Sequence, residues 1–167
     1  MSAARPTRDE IPNPVVASAW NRRAAVIAAR GSFAAIALWI TLATVLRATG
    51  PAALHAIVDL PFAFMCHRLP ERTLSVLGTP LPLCSRCLGI WVGMSLSAAF
   101  AWPALPIKAL RVVVPVAAAL MLAEVVTQDL GLHPVFHPTR LLSGLLLSVP
   151  MGGAIGAVLT REMLQRR

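Results

Sequence analysis

Long runs of uncharged residues separated by short charged segments dominate this sequence and decide which solvent it can fold in. Of its 167 residues, 57% are hydrophobic and only 13% are charged, and the mean hydropathy is +0.72. A water-soluble domain carries about a quarter charged residues, so this composition excludes an ordinary soluble domain and a disordered chain. The pattern predicts an all-α, multi-pass transmembrane helical bundle that folds in a lipid bilayer.

Four of the apolar runs have the character of membrane spans. We predict spans at residues 31–48, 87–105, 111–128 and 141–160. The first holds sixteen uncharged residues between Arg30 and Arg47, about 24 Å of helix, and crosses the bilayer core if Arg47 extends to the interface. In the last span, the spacing of Gly152 and Gly156 favours the close approach of another helix.

A further apolar segment, residues 52–66, is short and interrupted by His55, Asp59 and Pro61. Such a segment is too short to cross the bilayer comfortably. We expect it to be re-entrant or interfacial, and a fifth span is the alternative. Residues 31–160 are then one membrane domain, preceded by a basic segment at 1–30 and followed by a basic tail at 161–167.

The excess of basic residues, which gives a formal charge of +8, indicates topology rather than nucleic-acid binding. With four spans and an inner N-terminus, ten Lys and Arg residues lie on the inner side and five on the outer side. The side richer in Lys and Arg faces the cytoplasm. We therefore expect a plasma-membrane protein with both termini in the cytoplasm and with the segments around the cysteines on the outer face.

All three cysteines fall on that outer side. Cys84 and Cys87 form a C-x-x-C element at the start of the second span, and Cys66 is followed directly by His67. A helix N-terminus and a nearby Arg86 both favour thiolates. The set Cys66, His67, Cys84 and Cys87 predicts a site for zinc or another thiophilic metal, although neighbouring residues such as Cys66 and His67 often cannot turn to the same ion.

Two other functions suit the same residues. Cys84 and Cys87 are candidates for a redox-active disulfide linked to quinone, as in the four-helix bacterial disulfide-generating oxidoreductases, which this chain resembles in arrangement but not in sequence. Guanidinium groups bind phosphates, so a binder or modifier of lipid phosphates is a third candidate. A purely structural membrane subunit is the remaining alternative. The outer-side arginines concerned are Arg68, Arg72, Arg86 and Arg140.

Polar residues in the second half of the chain point to the same outer face. Glu124 and Gln128 are one helical turn apart in the third span. An acid inside an apolar run faces the bundle interior and takes a partner, for which Arg86 and Arg140 are the candidates. We therefore expect Glu124, Gln128 and the arginines to support the cysteine site or to bind its ligand.

These motifs resemble the signature of a widespread family of small prokaryotic integral membrane proteins of unknown function, a domain of unknown function. The pattern runs CHRxPxR from Cys66 to Arg72 and PxCxRCxGIWxG from Pro82 to Gly93. A second block matches at Glu124, Gln128, Arg140, Ser143 and Gly144. The resemblance implies a membrane location and a shared site, without implying a reaction.

Overall fold

Helices make up nearly all of the fold in the computed structural model, which describes residues 14–67 and 69–165. The helices in that part of the chain are α1 (Pro14–Thr49), α2 (Ala52–Ala63), α3 (Ser85–Phe100), α4 (Ile107–Asp129) and α5 (His137–Gln165). A single 3₁₀ turn (Pro70–Arg72) and a two-stranded antiparallel hairpin, β1 (Ser75–Val76) with β2 (Thr79–Pro80), lie between α2 and α3. The predicted all-α membrane bundle is confirmed, with the hairpin as a small addition.

Within residues 14–67 and 69–165, three stretches are long and apolar enough to cross a bilayer: Asn21–Thr49, Ile107–Asp129 and His137–Arg161. Helix α3 has sixteen residues, about 24 Å. It ends at Phe100, short of the predicted limit at residue 105, because Ala101 adopts a left-handed conformation with φ 53° and prolines follow it. Helix α2 has twelve residues and is shorter than a membrane span.

The other helices begin before the predicted spans. Helix α1 starts at Pro14 rather than at residue 31, because the intervening segment is rich in Ala and Arg, which are strong helix formers. Helix α4 starts at Ile107, directly after Pro106. Helix α5 starts at His137 and carries Pro138 in its first turn, where the missing N–H of proline is tolerated.

Helices α3 and α5 pack against each other through glycines. A methyl group at Gly152 would overlap with the backbone of Met94, and one at Gly156 would overlap with the Ala98 carbonyl oxygen. The close approach predicted from the Gly152–Gly156 spacing is confirmed, and its partner is the second half of α3. Small residues at such crossings let two backbones come into contact.

The same kind of contact sets the other end of this helix pair. Gly89 lies against the Leu141 carbonyl oxygen, and Gly144 lies against the carbonyl oxygen of Arg86. No side chain larger than hydrogen fits at either position without moving a backbone. The first turns of α3 and α5 are therefore held together at the end of the bundle that carries the cysteines.

Helix α2 packs back against α1 and forms a small core beneath the cysteines. Ile40 from α1, Phe62 from α2 and Leu83 from the loop before α3 are buried in one cluster with Cys66. An ion pair between Arg47 and Asp59 joins the two helices near the end of α1. This core fixes the position from which Cys66 approaches α3.

Large apolar side chains on the outside of α4, such as Val116, Leu120 and Leu122, are more than half exposed. In water a surface of this kind would be unfavourable, whereas in a bilayer these side chains contact lipid tails. Only the last turns of α4 carry the polar residues that reach the bundle interior. This distribution agrees with a helix that faces lipid along most of its length.

Candidate functional site

The three cysteines, which are distant in sequence, meet at one end of the bundle. The sulfur atoms of Cys66, Cys84 and Cys87 all lie within 4.8 Å of one another. Cys66 is buried, and the other two are partly buried. None of the three forms a disulfide in this structure. The predicted convergence of Cys66 on the C-x-x-C element is therefore present.

The local fold explains this convergence. Cys84 is the N-cap of α3, and Cys87 follows it in the first turn, so the two side chains lie near the same helix end. Cys66 follows the last turn of α2, where its N–H donates to the Phe62 carbonyl oxygen. The N–H of Cys84 donates to the Cys66 sulfur at 3.3 Å. An N–H group at the start of α3, which has no partner within the helix, thus binds a sulfur of the cluster.

This environment favours the thiolate form of Cys84. Hydrogen bonds from the thiols of Cys66 and Cys87 hold the pKa of Cys84 well below its usual range, and the positive charge of Arg140 acts in the same direction. A thiolate is the form of cysteine that binds metals and attacks disulfides. The site is chemically competent for either reaction at neutral pH.

A cavity of about 330 Å³ opens beside the sulfurs. Cysteine and arginine side chains make up most of its walls. The lining residues are Cys66, His67, Leu69, Arg72, Cys84, Arg86, Cys87 and Arg140. A ligand in this cavity would contact both sulfur and guanidinium groups.

An ion pair with a residue of α4 holds Arg86 in place. Its Nη2 group donates to Glu124 Oε2 in an ion pair whose side chains are 12% and 14% exposed. This pair was one of the two partnerships predicted for Glu124. Because Arg86 lies between Cys84 and Cys87 in the chain, the ion pair fixes the helix turn that carries both cysteines.

Arg140 makes a parallel contact one turn further along α4. Its Nη1 group donates to Gln128 Oε1, and the residue is 2% exposed. Glu124 and Gln128 therefore lie on one face of α4, as predicted from their spacing, and each contacts an arginine that lines the cavity. The Nε atoms of Arg86 and Arg140 are buried and have no hydrogen-bond partner in the described part of the chain.

Arg72 lies at a more exposed position in the lining. Its Nη2 group donates to Asp129 Oδ1 at 3.0 Å, and its Nε atom is 3.9 Å from Glu71 Oε1. Its carbonyl oxygen accepts a hydrogen bond from the hydroxyl of Ser85 at 3.2 Å. Arg68, the other arginine named from the sequence, lies outside the described residues.

The histidines stand apart from the sulfurs. His67 is exposed and lines the cavity, but it is not part of the cluster of sulfur atoms. Its assignment as the fourth metal ligand stays a prediction. His133 contacts Thr127 at 3.0 Å, and His137 contacts Ser85 at 3.3 Å, so both bind neighbouring side chains of the helix ends.

Two residues in or beside the site, Ser85 and Asp129, were not expected. Ser85 is fully buried and links Arg72 to His137. Asp129 is the long-range acidic partner of Arg72. A signal was available for Asp129, since it directly follows Gln128 and ends α4 after its apolar run. Ser85 gave no such signal, because a serine inside a C-x-x-C element is chemically unremarkable.

Comparison with known proteins agrees with the membrane assignment. A family model described as "Predicted membrane protein (DUF2085)" matches residues 66–153, just over half of the chain. An uncharacterized protein of Methanothermobacter thermautotrophicus is 34% identical over 110 residues, which cover 64% of this chain and 94% of that protein. No solved structure matches the chain.

The matched region begins at Cys66 and extends into α5. It contains all three cysteines and the three arginines that line the cavity. It also contains Glu124 and Gln128 of α4. The chain belongs to the predicted membrane protein family DUF2085.

Proposed function

We propose that this membrane protein binds a thiophilic metal ion, with zinc as the best fit, through the thiolates of Cys66, Cys84 and Cys87. The observation that carries the proposal is the approach of three sulfurs to within 4.8 Å of one another. With Zn–S bonds of about 2.3 Å, sulfurs in a tetrahedral site lie about 3.8 Å apart. Small side-chain rotations therefore bring these sulfurs to ligand distance.

Three thiolates leave a fourth coordination position. Structural zinc sites fill it with a protein ligand, whereas catalytic sites leave it for water or substrate. His67 would have to turn inward to fill it, since it is exposed in this structure. The cavity beside the sulfurs offers space for an exogenous ligand instead, so we assign the fourth position to a ligand that enters through the cavity.

The surrounding polar residues suit a supporting role. Arg86 bonded to Glu124 and Arg140 bonded to Gln128 tie the cysteine-bearing end of α3 to α4 and α5. Substitution of a residue that orients the ligands of a metal typically weakens metal binding by about 10–100-fold. We assign the four residues this function.

Cobalt substitution tests the proposal. Co²⁺ bound to thiolates produces sulfur-to-metal charge-transfer absorption, whose intensity reports the number of sulfur ligands. We expect the metal-free protein in detergent to give a three-thiolate spectrum, and Cys66→Ser to give a weaker spectrum with lower affinity. His133→Gln is the matched control, because His133 lies outside the sulfur cluster. Full Co²⁺ stoichiometry and affinity in Cys66→Ser would overturn the assignment.

A thiol oxidoreductase is the second candidate, favoured by the thiolate character of Cys84 at the N-cap of α3. In this reaction Cys84 and Cys87 form a disulfide, and their two electrons and two protons reduce a quinone bound near Arg86 to a quinol. The proposal requires that both thiols titrate together at one reduction potential. Thiols that stay unreactive in the folded, metal-free protein would exclude it.

For localisation, we propose the plasma membrane, with both termini in the cytoplasm and the cysteine site on the outer side. The cationic residues of the described chain support this orientation. Lys108 and Arg111 lie at the start of α4, and Arg161 lies near the end of α5, all at the end of the bundle opposite to the cysteines. Basic residues on that side favour cytoplasmic exposure.

A further inference from the structure

The guanidinium group of Arg140 is a buried cation, and its only hydrogen-bond partner in the described chain is a neutral amide. The residue is 2% exposed, and its Nη1 group donates to Gln128. Its Nε atom is buried, has no partner and belongs to a side chain that lines the cavity. Burying a guanidinium without an anion is unfavourable. No carboxylate lines the cavity beside Arg140 in the described part of the chain, although Glu124 and the Cys84 thiolate offset part of its charge from nearby.

Arg86 repeats this arrangement on the facing helix. Its Nη2 group binds Glu124 on α4, while its Nε atom is buried and has no partner among the described residues. Both arginines are thus anchored on α4 and line the same cavity. Two guanidinium groups fixed in this way are preorganised donors for an oxyanion, which guanidinium forks bind through paired hydrogen bonds.

The local charges leave room for an anion. Three guanidinium groups line the cavity, and Glu124 pairs with Arg86 and Asp129 with Arg72 from outside the lining. Glu71, an exposed acid, lies 3.9 Å from Arg72 on its outer side. The cysteines carry about one negative charge, either as a single thiolate or as three thiolates around a divalent ion. The formal charges around the site therefore nearly cancel, but the described lining holds no carboxylate. The starts of α3 and α5 each add about half a positive charge beside it.

We propose that this cavity binds a phosphate-class oxyanion, with Arg140 and Arg86 as its principal donors and Arg72 at the more exposed side. The volume of about 330 Å³ is at the lower end for small-ligand sites and accommodates a phosphate monoester. The group can belong to a soluble compound or to a lipid headgroup. The proposal stands on the arginines and does not require a bound metal.

Calorimetric titration of the full-length protein in an uncharged detergent tests this inference. One arm uses inorganic phosphate, and the other uses short-chain phosphatidic acid, with short-chain phosphatidylcholine as its comparison. Comparable binding of both phosphates indicates a soluble ligand, and preferential binding of phosphatidic acid indicates a lipid headgroup. Either result supports the oxyanion site. Equal binding of phosphatidylcholine and phosphatidic acid, with no response to phosphate, would overturn it.

Variants connect the binding to the named residues. We expect Arg140→Gln to weaken binding by about tenfold or more, since a charge-assisted hydrogen bond is lost. Arg72→Gln, at a partly exposed position, should fold and still weaken binding severalfold, so it decides the matter if Arg140→Gln fails to fold. Arg111→Gln is the control, because Arg111 is exposed near the start of α4, at the end of the bundle opposite to the cavity. Unchanged affinity in folded Arg72→Gln and Arg140→Gln would refute the site.

Discussion

Arg86, which lies between Cys84 and Cys87 in the sequence, forms a largely buried ion pair with Glu124 on α4. The pair links the C-x-x-C element to a helix that begins at the opposite end of the bundle. It also explains why an acid interrupts the otherwise apolar α4. The position of the cysteines therefore depends on a contact that is distant in sequence.

Removing one partner of this pair should lower the free energy of unfolding more than removing both partners. Glu124→Leu leaves the Arg86 charge buried without a partner, and loss of one member of a buried pair is unfavourable by about 3–5 kcal/mol. Arg86→Met combined with Glu124→Leu leaves no such charge and should recover much of this loss. Chemical denaturation in mixed micelles, followed by near-ultraviolet circular dichroism, measures the free energies of unfolding. If the loss of unfolding free energy in the double variant equalled the sum of the losses in the two single variants, the two residues would not be coupled as described.

The contact between α3 and α5 at Gly89 should not tolerate a methyl group. Gly89→Ala places its Cβ against the Leu141 carbonyl oxygen, which forces the backbones apart and should destabilise the protein by about 1–3 kcal/mol. Metal affinity should also fall, because Cys87 and Arg140 are next to this contact. Gly31→Ala in α1 is the matched control, since nothing lies within 4 Å of its Cβ position, and it should be neutral or stabilising. Thermal unfolding and metal titration of both variants measure these effects. Equal unfolding temperatures and metal affinities for the two variants would contradict the close packing at Gly89.

The alkylation rate of Cys84 in metal-free protein should depend little on pH. Its lowered pKa means that the thiolate is already present at pH 6, whereas an ordinary cysteine gains thiolate about tenfold per pH unit up to about 8.5. Iodoacetamide labelling between pH 6 and pH 8, read by peptide mass spectrometry, measures the profile. Cys66→Ala removes the largest of the interactions that lower the pKa of Cys84, so it should raise this pKa and make the rate depend more strongly on pH. A steep rise in the unaltered protein would show that Cys84 is an ordinary thiol.

The proposed orientation predicts which end of the bundle is reached from outside the cell. In a background in which the three native cysteines are replaced by Ser, Leu77→Cys introduces a thiol at the exposed hairpin turn on the cysteine side. Lys108→Cys introduces a thiol at the start of α4, at the opposite end of the bundle. A membrane-impermeant maleimide should label the first variant in intact cells and the second only after permeabilisation. The reverse pattern would invert the topology.

Sequence periodicity was sufficient for the parts of the site that depend on local geometry. The C-x-x-C spacing places Cys84 and Cys87 near one helix start, and the four-residue spacing of Glu124 and Gln128 places them on one face of α4. Both relations are present in the structure. The glycine contact at Gly152 was also predictable, because small residues at this spacing are typical of close helix pairs.

Features set by tertiary contacts were not predictable in the same way. The hairpin at residues 75–80 turns at Leu77, which adopts φ 52°, a conformation that leucine rarely takes and that no propensity suggests. The partner of Arg72 is Asp129 because α4 ends beside the 3₁₀ turn, and this depends on the assembled bundle. The outward position of His67 likewise follows from the path of the chain after α2.

Metal content and thiol state, measured together on detergent-purified protein, test the central claim most directly. Elemental analysis gives the metal stoichiometry, and a thiol count after denaturation, with and without reductant, gives the redox state of the cysteines. We predict close to one thiophilic metal ion per chain and three free thiols after denaturation without reductant. Protein without metal, with one free thiol and two released only by reductant, would contradict the metal site and favour a disulfide between Cys84 and Cys87.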